Sequence, residues 1–385
     1  MSQWKTLKLP ECLDKAPKAT KIPKKEFLAH GKYPIISQEK GLVNGHWNDS
    51  GDVVHVDRPL VVFGDHTTIL KRVDFDFVVG ADGVKILKPK PFINADYLYY
   101  YLLSKPLIGL GYARHYRKLK EIDIAFPSLQ EQKRIVSILD EAFEGIDTVV
   151  SNTEKNLANV RELFEGYLNS LFSRHNKNWS VKMVGDFAAH CLGKMLDKQK
   201  NKGVMKPYLR NVNVQWFDVA TIDILEMRIE EHEEDRYSVL PGDLLICEGG
   251  YPGRAAIWEE DEPVFFQKAL HRVRCEDQRY NRWLLYYLYL QDSKGELSQF
   301  FTGAGIQHFT GKALKSFPVP LAPPHDLDKL LTGIEGVHEE TQRLKAIYQQ
   351  KLTALADLKQ SLLQKAFSGE LTAREAEAAV EESTA

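Results

Sequence analysis

Arg114, His115, Arg117, Lys118 and Lys120 crowd around Tyr112 and Tyr116 in "YARHYRKLKE". Cationic groups interleaved with aromatic rings suit contact with a phosphate backbone, and a solvated helix start is the plainer alternative. The matching place in the second half reads "GIQHFTGKALK", where Gln307, His308, Thr310 and Lys312 stand ready for the same part. "PYLRNVNVQW" offers Arg210, Asn211 and Asn213, residue types that make paired hydrogen bonds to guanine and adenine edges. Turn-stabilising asparagines would look the same. "CEGGYPGRAAIW" is a glycine-rich loop leaving a strand, with Gly249, Tyr251 and Arg254, and glycine lets a backbone approach a groove or turn tightly. In the first half "FGDHTTILKRV" takes that place and brings His66, Thr67, Thr68, Lys71 and Arg72.

Catalytic constellations are missing. No Asn-Pro-Pro-aromatic segment of the adenine methyltransferase kind occurs. The nearest string to a phosphate-cradling P-loop, "GIQHFTGKA", has one residue too many between its glycines and Ala313 in place of the hydroxyl. The glycines of "GAGIQ" and "GLG" carry no dinucleotide fingerprint. His232 and His338 sit among glutamates and read as solvated-face residues, and Cys12, Cys191, Cys247 and Cys275 lack metal spacing, so reduced structural thiols are expected. The chain is expected to bind and to leave chemistry to others. Its formal net charge of -2 means that any basic face must be local. No apolar leader and no membrane-length run stand out, so a cytoplasmic protein is expected.

These segments belong to a longer pattern. Trp4 in "WKTLKLPEC" matches Trp179 in "WSVKMVGDF" at an offset of 175. "YLYYYLL" matches "WLLYYLY" at 186, and "LFEGYLNSLFS" matches "LKQSLLQKAFS" at 195. From Ile135 to Leu171, apolar or small residues recur in steps of four and three with one stutter between Thr153 and Leu157. Adding 195 gives a second seam from Leu330 to Ala366 with its stutter in the same place, interrupted only by Lys359. That period predicts two long helices pairing within the chain as an antiparallel coiled coil, a rod of roughly 60 Å. Upstream of Pro127 and Pro320, short apolar runs ("PLVVF", "FDFVVG", "GDLLIC") read as strands, and the two aromatic runs read as core-packed helices. The expected class is α/β (α+β) with a pseudo-two-fold internal repeat, laid out as globule 1–126, helix 127–175, globule 176–322, helix 323–372 and an acidic tail 373–385. Two similar, non-identical globules held apart by a rod suit two DNA segments separated by an unread spacer.

"RHYRKLKEIDIAFPSLQEQKRI", "LPGDLLICEGG" and "LLQKAFSGELT" resemble the specificity subunits of type I restriction-modification systems, and the resemblance runs along nearly the whole chain. "YPIISQEKGLVNG" belongs to it, and Ser37, Gln38 and Asn44 within it, with His46 directly after it, join the expected DNA-facing residues. The resemblance implies two target recognition domains, each reading half of an asymmetric bipartite site on double-stranded DNA. It implies long helices that set the spacer and dock two methylation (M) subunits, with restriction (R) subunits joining. S-adenosylmethionine, ATP and Mg would then be cofactors of the partner subunits, with none bound by this chain. "HDLDKLL" in place of "QEQKRIV", and Lys359 in the seam, depart from symmetry. A complex whose methylation partner also carries the nuclease, and a coiled-coil scaffold for proteins, are the alternatives.

Overall fold

The two apolar seams are long helices, and each helix contributes to both compact units of the chain. A computed structural model describes residues 4–107, 114–175, 179–197, 199 and 201–370. Tyr112, the glycines of "GLG" and the tail after Glu370 lie outside the described residues. One unit comprises residues 1–154 and 350–385, the other residues 155–349. The seam stutters fall at these chain boundaries, between Thr153 and Leu157 and between Tyr348 and Leu352. Among the described residues, no helix is long and apolar enough to cross a membrane.

In the first unit, β1 (Lys5–Lys8) leads to a sheet containing β2 (Leu60–Gly64), β3 (Leu70–Val73) and β4 (Val84–Pro89). All five residues of β2 are buried because the strand is covered on both faces. Val61 and Phe63 face a core shared with helix α1 (Ala95–Leu103), while Leu60 and Val62 face Ile36, Val54, Phe77 and Val79. This double burial explains the unbroken apolar run "PLVVF". Asn94 caps α1 by accepting the Tyr97 N–H at 2.9 Å, and buried Tyr97 donates its hydroxyl to the Ala125 carbonyl at 2.7 Å. Ala125 lies in β5 (Asp123–Phe126), which pairs antiparallel with β1, Lys5 opposite Phe126.

Helix α2 (Leu129–His175) follows. At its start, fully buried Gln132 accepts the Asn94 N–H at 2.8 Å and donates to the carbonyls of Phe92 and Pro127 at 3.0 Å, tying α1 to α2. The second unit runs through β6 (Ser180–Met183), β7 (Leu244–Cys247), β8 (Ala255–Ile257), β9 (Leu270–Cys275), helix α3 (Arg279–Ser293) and β10 (Pro318–Leu321) to helix α4 (Pro324–Ser368). Strand β7 is again covered on both faces, Leu244 and Ile246 by the α3 core and Leu245 and Cys247 by a second cluster. Strands β6 and β10 pair antiparallel, and Trp283 donates its indole N–H to the Pro320 carbonyl at 2.8 Å. Tyr97 and Trp283, like Ala125 and Pro320, are matched positions in the two halves of the sequence. The departure at "HDLDKLL" has a local cause: Leu327, at the place of Gln132, lies fully buried in the apolar core.

Within each unit the long helices run antiparallel. In the second unit Phe164 stacks on His338 with ring centroids 5.0 Å apart, and one turn later Tyr167 brings its hydroxyl against Gly333. A Cβ at Gly333 would stand 2.8 Å from that hydroxyl, so the glycine admits the close approach. In the first unit Lys359 lies over the Phe143 ring at 5.0 Å and pairs with Asp147, which accounts for a cation in an apolar seam. His338 is thereby corrected from a solvated-face residue: its ring packs on Phe164 and Phe217, and burial holds its pKa below the ordinary imidazole value. His232 stands exposed beside Glu230.

The last turns of α4 complete the first unit, with Leu363 and Ala366 buried beside Ile135 and Leu139 and Phe367 edge-on to Tyr97 and Tyr101. Leu363→Ala should therefore lower the stability of the full chain by about 3 kcal/mol in urea unfolding. A loss under about 0.5 kcal/mol, the size of an ordinary surface change, would contradict this placement.

Candidate nucleic-acid interface

Three segments far apart in the first unit's sequence meet at the C-terminal end of β2. Gln38 accepts the His66 N–H at 3.2 Å, and its carbonyl accepts the Thr67 hydroxyl at 2.7 Å. Gly83, at φ +82°, permits this meeting, since a Cβ there would lie 2.6 Å from the Gln38 side-chain oxygen and 2.9 Å from the His66 ring. Thr68 is held at φ +59°, a conformation that non-glycine residues rarely adopt and that the surrounding bonds must fix. The carbonyl of Asp65 then accepts the His115 N–H at 2.8 Å, and its carboxylate accepts the Tyr116 N–H at 2.8 Å. This anchors the basic segment beside the strand end.

Several expected contact residues turn inward and hold these loops. His115 is buried, its Nδ1 3.0 Å from the Asp65 carbonyl. Buried Ser37 donates its hydroxyl to Asn44, and buried Lys71 donates to the same Asn44 oxygen at 2.8 Å and to the Gly41 carbonyl. Loss of water around Lys71 lowers its pKa to about 8, against the opposing pull of Glu39. Arg72 is paired with Asp74 and Asp96, and His46 Nδ1 lies 3.1 Å from the Ala29 carbonyl. Thr67, Arg114, Arg117 and Lys118 face outward.

The second unit builds a comparable site after β7. Asn211 donates its side-chain amide to the Gly249 carbonyl at 3.0 Å. Arg254 donates to the Asn211 carbonyl at 3.0 Å and to Gln215 at 3.1 Å, with its guanidinium 5.2 Å from the Tyr251 ring centroid. Gly250, at φ +81°, leaves room for Asn211, whose amide nitrogen would stand 2.1 Å from a Cβ. His308 bridges to Gly249 and sets its Nδ1 3.0 Å from the Glu248 carboxylate. The next N–H, that of Phe309, donates to the Glu248 carbonyl at 2.7 Å. Buried Asn213 donates to the Ala220 carbonyl, and Arg210 is paired with Asp223 at 2.6 Å, so both shape the neighbouring turn. Tyr251, Gln307 and Lys312 are exposed, and Thr310 caps the short helix Gly311–Lys315.

Sequence reasoning passed over the exposed lysines of "KAPKATKIPKK", Lys15, Lys18, Lys21, Lys24 and Lys25. Lys21 shares a small hollow with Lys85 and Tyr116, and Lys85 and Lys120 both lie over the Tyr116 ring, at 5.3 and 5.5 Å. The density of lysines was the available signal. Among the described residues, no group of three His, Cys, Asp or Glu side chains could hold a metal ion.

Residues 1–157 match the family model for the type I restriction modification DNA specificity domain. Over 317 residues the chain is 22% identical to the type I restriction enzyme EcoKI specificity subunit of Escherichia coli (strain K12), covering 75% of this chain and 68% of that one. It is 22% identical over 303 residues to the MjaVIII specificity subunit of Methanocaldococcus jannaschii, covering 70% and 67%. In fold it resembles a chain from a structure titled for complex assembly and conformational transition of the type I R-M system. That likeness has a TM-score of 0.72 over 96% of this chain and 98% of that chain, at 16% identity.

The Lys71 environment has a pH signature. Its pKa is lower folded than unfolded, so the unfolded chain binds more protons between about pH 8 and 10.5 and stability gains from this group as pH rises through that window. Side-chain NMR should show Lys71 titrating near 8, and Lys71→Met should remove its share of the stability gain. Titration near 10.5 would contradict the buried placement.

Proposed function

We propose that this chain, which belongs to the type I restriction-modification specificity-subunit family, reads an asymmetric bipartite DNA site with two recognition domains, one per half-site. Residues 1–126 and 176–322 are those domains. Helices α2 and α4 set the spacer and carry two methylation subunits, with restriction subunits joining the complex. S-adenosylmethionine, ATP and Mg act on the partner subunits, and this chain supplies recognition alone.

The observation that carries the reading is a site geometry that occurs twice. The residue after a doubly buried strand, Asp65 or Glu248, accepts the backbone N–H of His115 or Phe309, at 2.8 and 2.7 Å. Each junction gathers a loop rich in hydrogen-bonding side chains beside a basic or polar segment that leads to a long helix. The side chains differ between the two, Gln38, His66 and Thr67 against Asn211, Tyr251 and Arg254, as two different half-sites require. The seam agrees: positions 143 and 359 meet in the first unit, and positions 338 and 164, each displaced by 195, meet in the second.

Arg114, Arg117 and Lys118 are read as phosphate contacts, because they are exposed cations next to the first junction. Changing all three to alanine should weaken DNA binding for every sequence alike and reduce the slope of log affinity against log salt by about one per residue. An unchanged salt slope would remove them from the backbone. Binding by the unaltered chain that ignores salt altogether would favour the protein scaffold over DNA recognition.

A further inference from the structure

Beside the second unit's reading loops stands an apolar tip. Ile306 is 75% exposed. The loop that carries it is closed at its base by Thr302 and His308, whose N–H groups each donate to the other's carbonyl at 2.9 Å. Gly303 takes φ +110°, and a Cβ there would fall 2.2 Å from the Ile306 carbonyl oxygen, so the turn that lifts Ile306 requires glycine. His308 continues the same ladder to Gly249, and Phe309 donates to the Glu248 carbonyl. The tip therefore rises from the junction that also holds Tyr251 and Arg254.

Single exposed apolar residues are ordinary, but this one is presented by a short pinned loop on the face read here as DNA-contacting. Proteins that kink DNA from the minor groove insert apolar side chains, isoleucine among them, between base steps and part the stack. In the first half "GLGY" places Tyr112 after the same Gly-x-Gly pattern that places Ile306 in "GAGI". We propose that Ile306 is a wedge inserted between base pairs of the second unit's half-site. The proposal rests on the DNA-reading function given above, and it makes Ile306 a determinant of which base step that half-site tolerates.

The test uses the full chain co-purified with its methylation subunit on the duplex that it methylates, with 2-aminopurine placed in turn at each purine position of both half-sites. Binding is measured first by anisotropy. The wedge predicts a fluorescence rise at one step with the unaltered chain and with Ile306→Leu, and no rise with Ile306→Ala. The alanine variant should also bind about tenfold more weakly, the size of a lost apolar burial. Tight binding by the unaltered chain with no rise at any position overturns the wedge while leaving DNA reading intact. So does an alanine variant with the same rise and affinity, and an unaltered chain that causes no unstacking but is weakened by Ile306→Ala puts Ile306 against the outer edges of the bases, which overturns the wedge as well. Failure of the unaltered chain to bind the duplex overturns both readings.

Discussion

Antiparallel contact between α2 and α4 is the constraint on which both units depend. The start of α4 packs Leu327, Leu331 and Ile334 into the core around Trp283, and its end packs Leu363 and Ala366 into the core around Tyr97. Each globule is therefore finished by helical residues far away in the chain, and ordering so distant a segment costs closure entropy that only extensive apolar burial offsets. Polar members of the seam are satisfied within it. Thr153 and Thr341, both buried, donate to carbonyls of their own helices, and Lys359 finds Asp147 and the Phe143 ring.

A division of labour runs through the two candidate reading surfaces. Side chains with their polar atoms engaged inside, such as Lys71, His115 and Asn213, fix the shape of loops. Those at the rim, such as Arg114, Lys118 and Gln307, stay exposed to a ligand. Rigid loops on a doubly covered strand end give a surface whose chemistry can change while the strand beneath stays put. Glycines at positive φ, Gly83 in one unit and Gly250 in the other, admit the close side-chain approaches on which both surfaces rest.

Much of this was legible in the sequence where the signal is local or periodic. "PLVVF" and "GDLLIC" read as strands because burial on both faces makes a run uniformly apolar, and the seam of Ile135, Leu139, Ala142 and Ile146 read as a helix by its period. The stutter beside Thr153 even fell at a unit boundary, although nothing local says what a stutter means. Burial of Lys71 and stacking of His338 were illegible, because each depends on partners brought from elsewhere: Asn44 lies 27 residues from Lys71, and Phe164 lies on the other long helix. Two-residue strands such as Lys21–Ile22 exist only through pairing with a distant strand, so no pattern announces them.

The claim at the centre of this account is that the chain chooses a bipartite site whose spacer its helices measure. Methylation sequencing tests it most directly, on cells making the chain with its methylation partner, cells lacking the chain, and cells making the chain with four residues inserted beside Thr153. The account predicts adenine methylation at one bipartite motif in the first case, none in the second, and the same half-sites with a longer spacer in the third. Methylation that persists without the chain, or a spacer unmoved by an insertion that leaves methylation active, would contradict it.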